Sequence, residues 1–424
     1  MKQIFKSKSE FSRNVLTLMT GTTIAQSIPI AISPILTRIY TPEDFGLFAL
    51  FMAITSIFAS ITNGRYGAAI MLPRYEKDAI NILALGFIIT VIVSSILFIL
   101  VYFFNTYFTG ILKNEEIGVW LYFMPITVFF TGFFNLLVGY NNRKKQYKDI
   151  ANANILKSIV LVIIQLIIGF VKNGASGLIL GQIISNIFVN MKLLKNIIKN
   201  KELLSNINVI RIIANAKRYK KFPIYSLPAI LANTLSHQLI NIFISSFYTI
   251  STLGFYALVQ RVLGVPTSLI GSSIGRVFFQ EATKEKQRTG LAIITFKNII
   301  LKLILISSVL FGLFYFIAED IFAFLFGEEW RVAGSYAQIA TPMFAVRFVV
   351  SVVSPIDSIM EKQNIFLIFN IVLLFASTIF FLLFKELDFT IFLLYLSIIV
   401  SIVYFIYGFI LYKMAKNEFH FWSK

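Results

Sequence analysis

The chain has no cysteine, only two histidines (His237 and His420), and little charge: Asp, Glu, Lys and Arg make up 14% of it, against about 25% in soluble domains. Without cysteine there are no disulfides, no thiolate metal sites and no cysteine nucleophile. Two histidines are too few for a histidine-based metal centre. Carboxylates are scarcer than cations, 20 against 38. No Asp-x-Asp pair occurs, and acidic pairs such as Glu115-Glu116 and Glu328-Glu329 lie in short loops with no neighbouring histidine. A metal-dependent glycosyltransferase is disfavoured on those grounds, and no outer loop is large enough to house a polymerase site. The Gly-x-x-x-x-Gly-Lys-Ser/Thr pattern is also missing, so the chain has no phosphate-binding loop with which to hydrolyse ATP. These gaps favour a carrier over an enzyme.

Apolar residues are what the chain has in plenty, 57% of 424. A bilayer core of about 30 Å needs about 20 apolar residues per helix. The charged clusters divide the chain into twelve such stretches: 15–37, 47–72, 80–104, 119–139, 151–171, 178–198, 222–247, 254–279, 291–317, 333–360, 364–384 and 390–412. The expected fold is an all-α polytopic membrane protein. Lys2, Lys6, Lys8 and Arg13 precede the first stretch as in a signal peptide. That stretch is too long for one and lacks a small-residue cleavage site, so it reads as a retained span.

The net charge of +18 would point to nucleic acid in a soluble chain. Here 27 Lys and Arg fall in or at the edges of the loops on the N-terminal side, and five (Arg38, Lys113, Lys172, Arg331, Lys385) on the other. Lys/Arg asymmetry of this kind places both termini in the cytoplasm. Most of the charge therefore encodes topology, and no nucleic-acid partner is expected.

One internal repeat stands out, at an offset of 208 residues. Thr41-Pro-Glu-Asp-Phe-Gly-Leu-Phe-Ala-Leu50 aligns with Thr249-Ile-Ser-Thr-Leu-Gly-Phe-Tyr-Ala-Leu258, and Arg13 aligns with Lys221. The expected organisation is a six-helix bundle over 1–198, a basic cytoplasmic linker over 199–221 and a second six-helix bundle over 222–424. A parallel repeat of this kind predicts a substrate site between the halves. In the linker, Ile207, Ile210, Ile212 and Ile213 alternate with Arg211, Lys217, Arg218, Lys220 and Lys221. This is the pattern of an amphipathic helix on an anionic leaflet, or of a solvated tether.

Six cations remain inside the spans: Arg65, Lys157, Arg261, Lys297, Lys302 and Arg347. No carboxylate lies deep in a span, and Asp357, near the cytoplasmic end of the tenth, comes nearest. A charge at the bilayer centre costs about 2.5 to 3.5 kcal/mol even on the lenient scale, so unmatched cations point to a water-filled cavity or an anionic ligand. Arg347, 14 residues into its span, is near the midplane; Arg261 and Arg65 each lie about 7 residues from a span end. Arginine stays charged and grips phosphate oxygens with a bidentate fork. Arg65, Arg261, Arg347 and Lys157 are therefore the candidate ligands of an anionic, phosphate-bearing group. Lys157, Lys297 and Lys302 lie close enough to cytoplasmic span ends to snorkel to headgroups instead. On the seventh span, Asn233, His237 and Asn241 recur every four residues, with Gln238 beside them. This stripe is a candidate for sugar contact or, through His237, for carrying a coupling proton. Hydrogen bonding to a neighbouring helix would explain it equally well.

Leu36-Thr-Arg-Ile-Tyr-Thr-Pro-Glu-Asp-Phe-Gly-Leu-Phe-Ala-Leu50 resembles the junction of the first two spans in bacterial polysaccharide transporters. These are the Wzx-type flippases of the multidrug/oligosaccharidyl-lipid/polysaccharide (MOP) exporter superfamily. Asn142-Arg-Lys-Lys-Gln-Tyr147 resembles their loop after span four. Phe222-Pro-Ile-Tyr-Ser-Leu-Pro228, Tyr256-Ala-Leu-Val-Gln-Arg-Val-Leu-Gly-Val-Pro266 and Gly275-Arg-Val-Phe-Phe-Gln280 resemble their spans seven and eight, and Leu325-Phe-Gly-Glu-Glu-Trp330 their loop before span ten. The resemblance runs from about residue 11 to 360. It implies a MATE-like V-shaped architecture of two six-helix bundles in the bacterial inner membrane. It also implies export of an undecaprenyl-pyrophosphate-linked oligosaccharide, an O-antigen or capsule repeat unit, to the periplasmic leaflet by alternating access. Expected partners are that lipid, anionic membrane lipids, and the polymerase and chain-length machinery. No cofactor is expected; proton or sodium coupling and drive by the membrane potential stay open. The alternatives are a peptidoglycan-precursor flippase and a cation-coupled multidrug exporter of the same superfamily. The second should carry an acidic residue in its cavity.

Overall fold

The computed structural model describes residues 2–172 and 174–418, with side chains from residue 17 onward. The Arg13 side chain and His420 lie outside them. The described residues are all-α and divide into two compact units, Met1–Ser246 and Phe247–Lys424.

The first unit comprises α1 (Lys2–Ile39), α2 (Pro42–Ile61), α3 (Tyr66–Ala69), α4 (Glu76–Leu112), α5 (Ile117–Leu121), α6 (Met124–Arg143), α7 (Tyr147–Val171) and α8 (Ser176–Ile198). Then come α9 (Lys201–Ser205), α10 (Val209–Arg218), a π-helical turn at Phe222–Ser226 and α11 (Leu227–Phe247). The second unit holds α12 (Ile250–Pro266), a π-helical turn at Thr267–Gly271, α13 (Ser272–Thr289) and α14 (Ile293–Phe326). After a 3-10 turn at Glu328–Trp330 follow α15 (Arg331–Val353), α16 (Ile356–Ile359), α17 (Gln363–Phe384) and α18 (Phe389–Ala415). Among the described residues, ten helical stretches are long and apolar enough to cross a membrane. The first and fourth predicted spans fall on α1 and α6, which are long enough but more polar than those ten.

The repeat has a local cause. Thr41 caps α2: its hydroxyl accepts from the Asp44 N–H while Asp44 accepts from the Thr41 N–H, a capping box strengthened by Pro42 in the first turn. Thr249 caps α12 with the corresponding half of this device, its hydroxyl accepting from the Thr252 N–H at 3.0 Å. Leu50 and Leu258, the last matched pair, are both fully buried. The repeat thus records one helix-start device used twice.

The helices of the first unit approach closely. α1 contains Pro29 and Pro34, and Pro29 leaves the Ala25 carbonyl without its helical N–H partner. Ser158 on α7 supplies the missing donor, its hydroxyl 2.6 Å from that oxygen. Further along, the Tyr40 hydroxyl donates to the Gln165 carbonyl at 2.5 Å. Tyr40 is seated where two glycines of the α7–α8 hairpin, Gly169 and Gly177, leave room.

One predicted span needs correction. The stretch 47–72 is not a single helix: α2 stops at Ile61, and Gly64 (φ +57) and Arg65 (φ +62) form a left-handed turn before α3. Consecutive left-handed residues cannot continue a right-handed helix. The hydrophobicity of the stretch hid that turn. The basic loops also do more than set topology. Arg143 donates to the Ile70 and Met71 carbonyls at 3.2 Å, and it shares Glu76 with Lys144 and the Tyr140 hydroxyl. Together they fasten the start of α4 to the end of α6.

Candidate functional site

In the first unit, Arg65 sits in the turn after α2, partly buried, its backbone N–H donating to Asn63 Oδ1 at 3.0 Å. Its Nε is buried with no hydrogen-bond partner among the described residues. A guanidinium held in a left-handed turn with an unspent donor is a ready anion ligand. The next residue, Tyr66, anchors the turn by donating to the Ala216 carbonyl of α10 at 3.1 Å.

Lys157 lies ten residues into α7, about 15 Å from the helix start at 1.5 Å per residue. That is deeper than the predicted boundary at 151 implied. Its ammonium is 5.1 Å from the centre of the Phe134 ring, and among the described residues no carboxylate pairs with it. Cation–π contact of this kind offsets part of the desolvation of a buried ammonium. Lys297 and Lys302, by contrast, are exposed near the start of α14.

On α11, Asn241 is buried and its amide donates to Gln238 Oε1 at 3.2 Å. His237 and Asn233 are partly buried one and two turns away on the same face. The Asn241 carbonyl oxygen and the Ser245 hydroxyl are buried with no hydrogen-bond partner among the described residues. Ser245 extends the four-residue spacing by one more step. The sequence carried that signal, but serine in an apolar helix seldom draws notice because its hydroxyl can return to its own backbone.

The second unit brings two of the predicted arginines onto adjacent helices. Arg261 is partly buried on α12 and Arg347 partly buried on α15, which packs against α12. The Arg347 guanidinium lies 5.9 Å from the Phe344 ring and forms no ion pair among the described residues. Two groups not expected from the sequence accompany Arg347: the buried Tyr256 hydroxyl hydrogen-bonds to Gln260 and interacts electrostatically with Arg347. Tyr256 and Gln260 stand four apart on α12, so the helical spacing was visible; their importance depends on α15 lying opposite.

The carboxylates seen in ion pairs are Glu76, Asp78, Asp320, Glu328, Glu361 and Glu418, at or near helix ends or in loops, and Glu281, which pairs with Lys284 within α13. Asp357 is buried in α16, beyond the end of α15, accepting from the Ser358 N–H and, at 3.3 Å, from the Tyr407 hydroxyl. Among the described residues, no carboxylate pairs with Arg65, Lys157 or Arg347.

Helices of this order and length make a multi-pass membrane protein with the fold of the MOP transporters. The inward-facing form of a multidrug resistance MATE transporter of that superfamily superposes with a TM-score of 0.62 at 14% identity, covering 95% of this chain and 94% of that chain. A variant of the Vibrio cholerae MATE transporter VcmN gives 0.59 at 12% identity, covering 97% and 98%. A Pyrococcus furiosus MOP superfamily transporter, described as having a binding pocket of reversed polarity, gives 0.52 at 14% identity, covering 95% and 95%. No curated protein matches the sequence. The family model described as "Polysaccharide biosynthesis protein" matches residues 35–335, and the chain belongs to that family. Arg65, Lys157, the α11 stripe and Arg261 fall within the match; Arg347 falls beyond it.

Proposed function

We propose that the protein is a flippase carrying an undecaprenyl-pyrophosphate-linked oligosaccharide, an O-antigen or capsule repeat unit, from the cytoplasmic to the periplasmic leaflet of a bacterial inner membrane. The observation that carries this reading is the set of span-associated cations, Arg65, Lys157 and Arg347, with which no carboxylate pairs among the described residues, in a chain of a polysaccharide biosynthesis family. Buried cations without counter-charges are costly unless the ligand supplies the negative charge. Pyrophosphate suits the arginines Arg65, Arg261 and Arg347 together with Lys157. Sugar hydroxyls suit Asn233, His237, Gln238 and Asn241, with Ser245, Tyr256 and Gln260 added by the structure.

Twelve crossings, with α1 and α6 joining the ten apolar stretches, place both termini in the cytoplasm under the positive-inside rule. The proposed arrangement is two six-helix bundles over 1–198 and 222–424 joined by the basic linker, although α11, the first span of the second bundle, groups with the first unit in the structure. MATE transporters of this fold have been described in inward-facing and in outward-facing conformations. Alternating access is accordingly the mechanism we assign. An inside-negative potential favours outward movement of an anion by about 2.3 kcal/mol per charge per 100 mV.

The test is reconstitution. In proteoliposomes holding the oligosaccharide lipid in both leaflets, the purified chain is expected to make the inner share of headgroups accessible to an added lectin. No gain in accessibility overturns the proposal. Transport of a cationic dye driven by a proton or sodium gradient would assign the chain to drug export, and transport of a peptidoglycan precursor alone would assign it to cell-wall synthesis.

The linker has its own role in this reading. Val209, Ile210 and Ile213 of α10 are 68%, 77% and 50% exposed, while Ile212 and Ala216 pack on the apolar core of the first unit. Asn81 on α4 fixes the approach, donating to the Asn206 carbonyl and accepting from the Asn208 N–H. An apolar outer face flanked by Arg211, Lys217 and Arg218 fits an anionic leaflet. Because the chain has no cysteine, Ile210→Cys gives a unique attachment point for a fluorophore. Its emission is expected to shift to the blue and be quenched by shallow nitroxide lipids in phosphatidylglycerol nanodiscs. Water-like emission would show a solvated tether.

A further inference from the structure

The second unit carries a lateral groove unrelated to the cationic candidates. Its volume is about 440 Å³, within the range of pockets that hold small ligands. α14, α15 and α18 form it: Ser307, Ser308, Ala345 and Gly408 keep it open, and Phe296 and Tyr412 stand at one end. Gly408 has a packing reason for its size, since a Cβ there would meet Val350 at 3.1 Å. Phe405, Phe409 and Ile304 on its edges are exposed, as befits a face turned to lipid.

The end of the groove at Phe296 and Tyr412 is basic. The Lys413 ammonium lies 4.9 Å from the Phe409 ring and the Lys416 ammonium 5.0 Å from the Tyr412 ring. Lys297 follows Phe296 on α14 and is exposed. Lys416 is partly engaged by Glu418 at 3.4 Å, and Glu285 is occupied in accepting from the Ile294 and Thr295 N–H groups. Lys297 and Lys413 form no ion pair among the described residues. The Ala292 N–H donates to the Ala415 carbonyl at 3.0 Å, fixing the start of α14 against the end of α18, so the two lysines flank one opening.

Length decides what fits. From Phe296 to Ser307 is 11 residues of helix, about 16 Å, or half of the roughly 30 Å hydrocarbon core. The groove therefore spans one leaflet. A polyprenyl tail would overrun it, whereas the acyl chain of a lipid resident in that leaflet would not.

We propose that this groove binds an anionic phospholipid, its acyl chain between α14, α15 and α18 and its phosphate between Lys297 and Lys413. The test uses the purified full chain in phosphatidylcholine micelles, titrated with phosphatidylglycerol and read by thermal unfolding and by native mass spectrometry. Phosphatidylglycerol is expected to raise the unfolding temperature and persist as a bound adduct. Lys297→Gln and Lys413→Gln are each expected to weaken its binding about fivefold, from roughly 1 kcal/mol per surface cation. Ser308→Phe, at an exposed position, is expected to abolish the adduct by filling the groove while leaving the lipid-free unfolding temperature unchanged. Equal effects of phosphatidylglycerol and phosphatidylcholine, or an adduct that survives Ser308→Phe and the double lysine variant, would overturn the proposal. So would undecaprenyl phosphate binding in preference and being lost in Ser308→Phe, which would give the groove to the transported lipid. The readout is lipid binding, so failure of the flippase reading would leave it untouched.

Discussion

Arg261→Ala and Arg347→Ala, each with membrane insertion intact, are expected to abolish surface polysaccharide and leave the lipid-linked oligosaccharide in the cytoplasmic leaflet. A charge-assisted hydrogen bond contributes about 1.5 to 3 kcal/mol, so losing either fork should weaken headgroup binding roughly tenfold to a hundredfold. Arg→Lys at the same positions keeps the charge but not the bidentate geometry, and intermediate polymer levels are expected. The two residues lie on packed helices, so their effects should not add if both grip one headgroup. The measurement is immunoblotting of surface polymer beside extraction of the accumulated lipid. Normal polymer from both alanine variants would remove the arginines from the transport path.

The second large effect concerns folding. A Cβ at Gly177 would stand 1.9 Å from the Tyr40 hydroxyl and 3.1 Å from the ring carbon that carries it. Gly177→Ala is therefore expected to destabilise the first unit by about 3 kcal/mol, the upper part of the range for overpacking. It should be seen as loss of folded protein in detergent extracts. Tyr40→Phe alone loses the bond to the Gln165 carbonyl, about 1 kcal/mol. The combination of Gly177→Ala with Tyr40→Phe removes the clashing oxygen, and the pair should be more stable than Gly177→Ala by itself. A double variant as damaged as the sum of the singles would mean that the backbone, not the hydroxyl, sets the spacing.

Composition and periodicity reached the helices because hydrophobic length is a local property; α7, α8, α11 and α17 lie within a few residues of the expected spans. They missed the break at Gly64–Arg65, since the apolar residues on either side outweigh Thr62, Asn63, Gly64 and Arg65 in the average over the stretch. Among the candidate residues, the cations were legible because their cost in a membrane depends on residue type and depth alone. Tyr256, Gln260 and Ser245 were not, because tyrosine, glutamine and serine acquire a role only from what packs opposite. The repeat at Thr41 and Thr249 was a different kind of signal. Four matches in ten residues were weak as similarity, yet they coincide with two helix caps that physical chemistry requires at those positions.

The bond between Ser158 and the Ala25 carbonyl bears on motion as well as on packing. A serine that bonds its own helix can be exchanged for a neighbouring N–H when helices slide; Pro29 can never return one. Parting α1 from α7 at that point would strand a carbonyl in hydrocarbon, at about 2 to 7 kcal/mol. The proline therefore acts as a latch whose only catch is on the other helix. Whatever rearrangement carries a substrate across, the segments around Ala25 and Ser158 should travel as one piece, with the bending left to joints elsewhere in the chain.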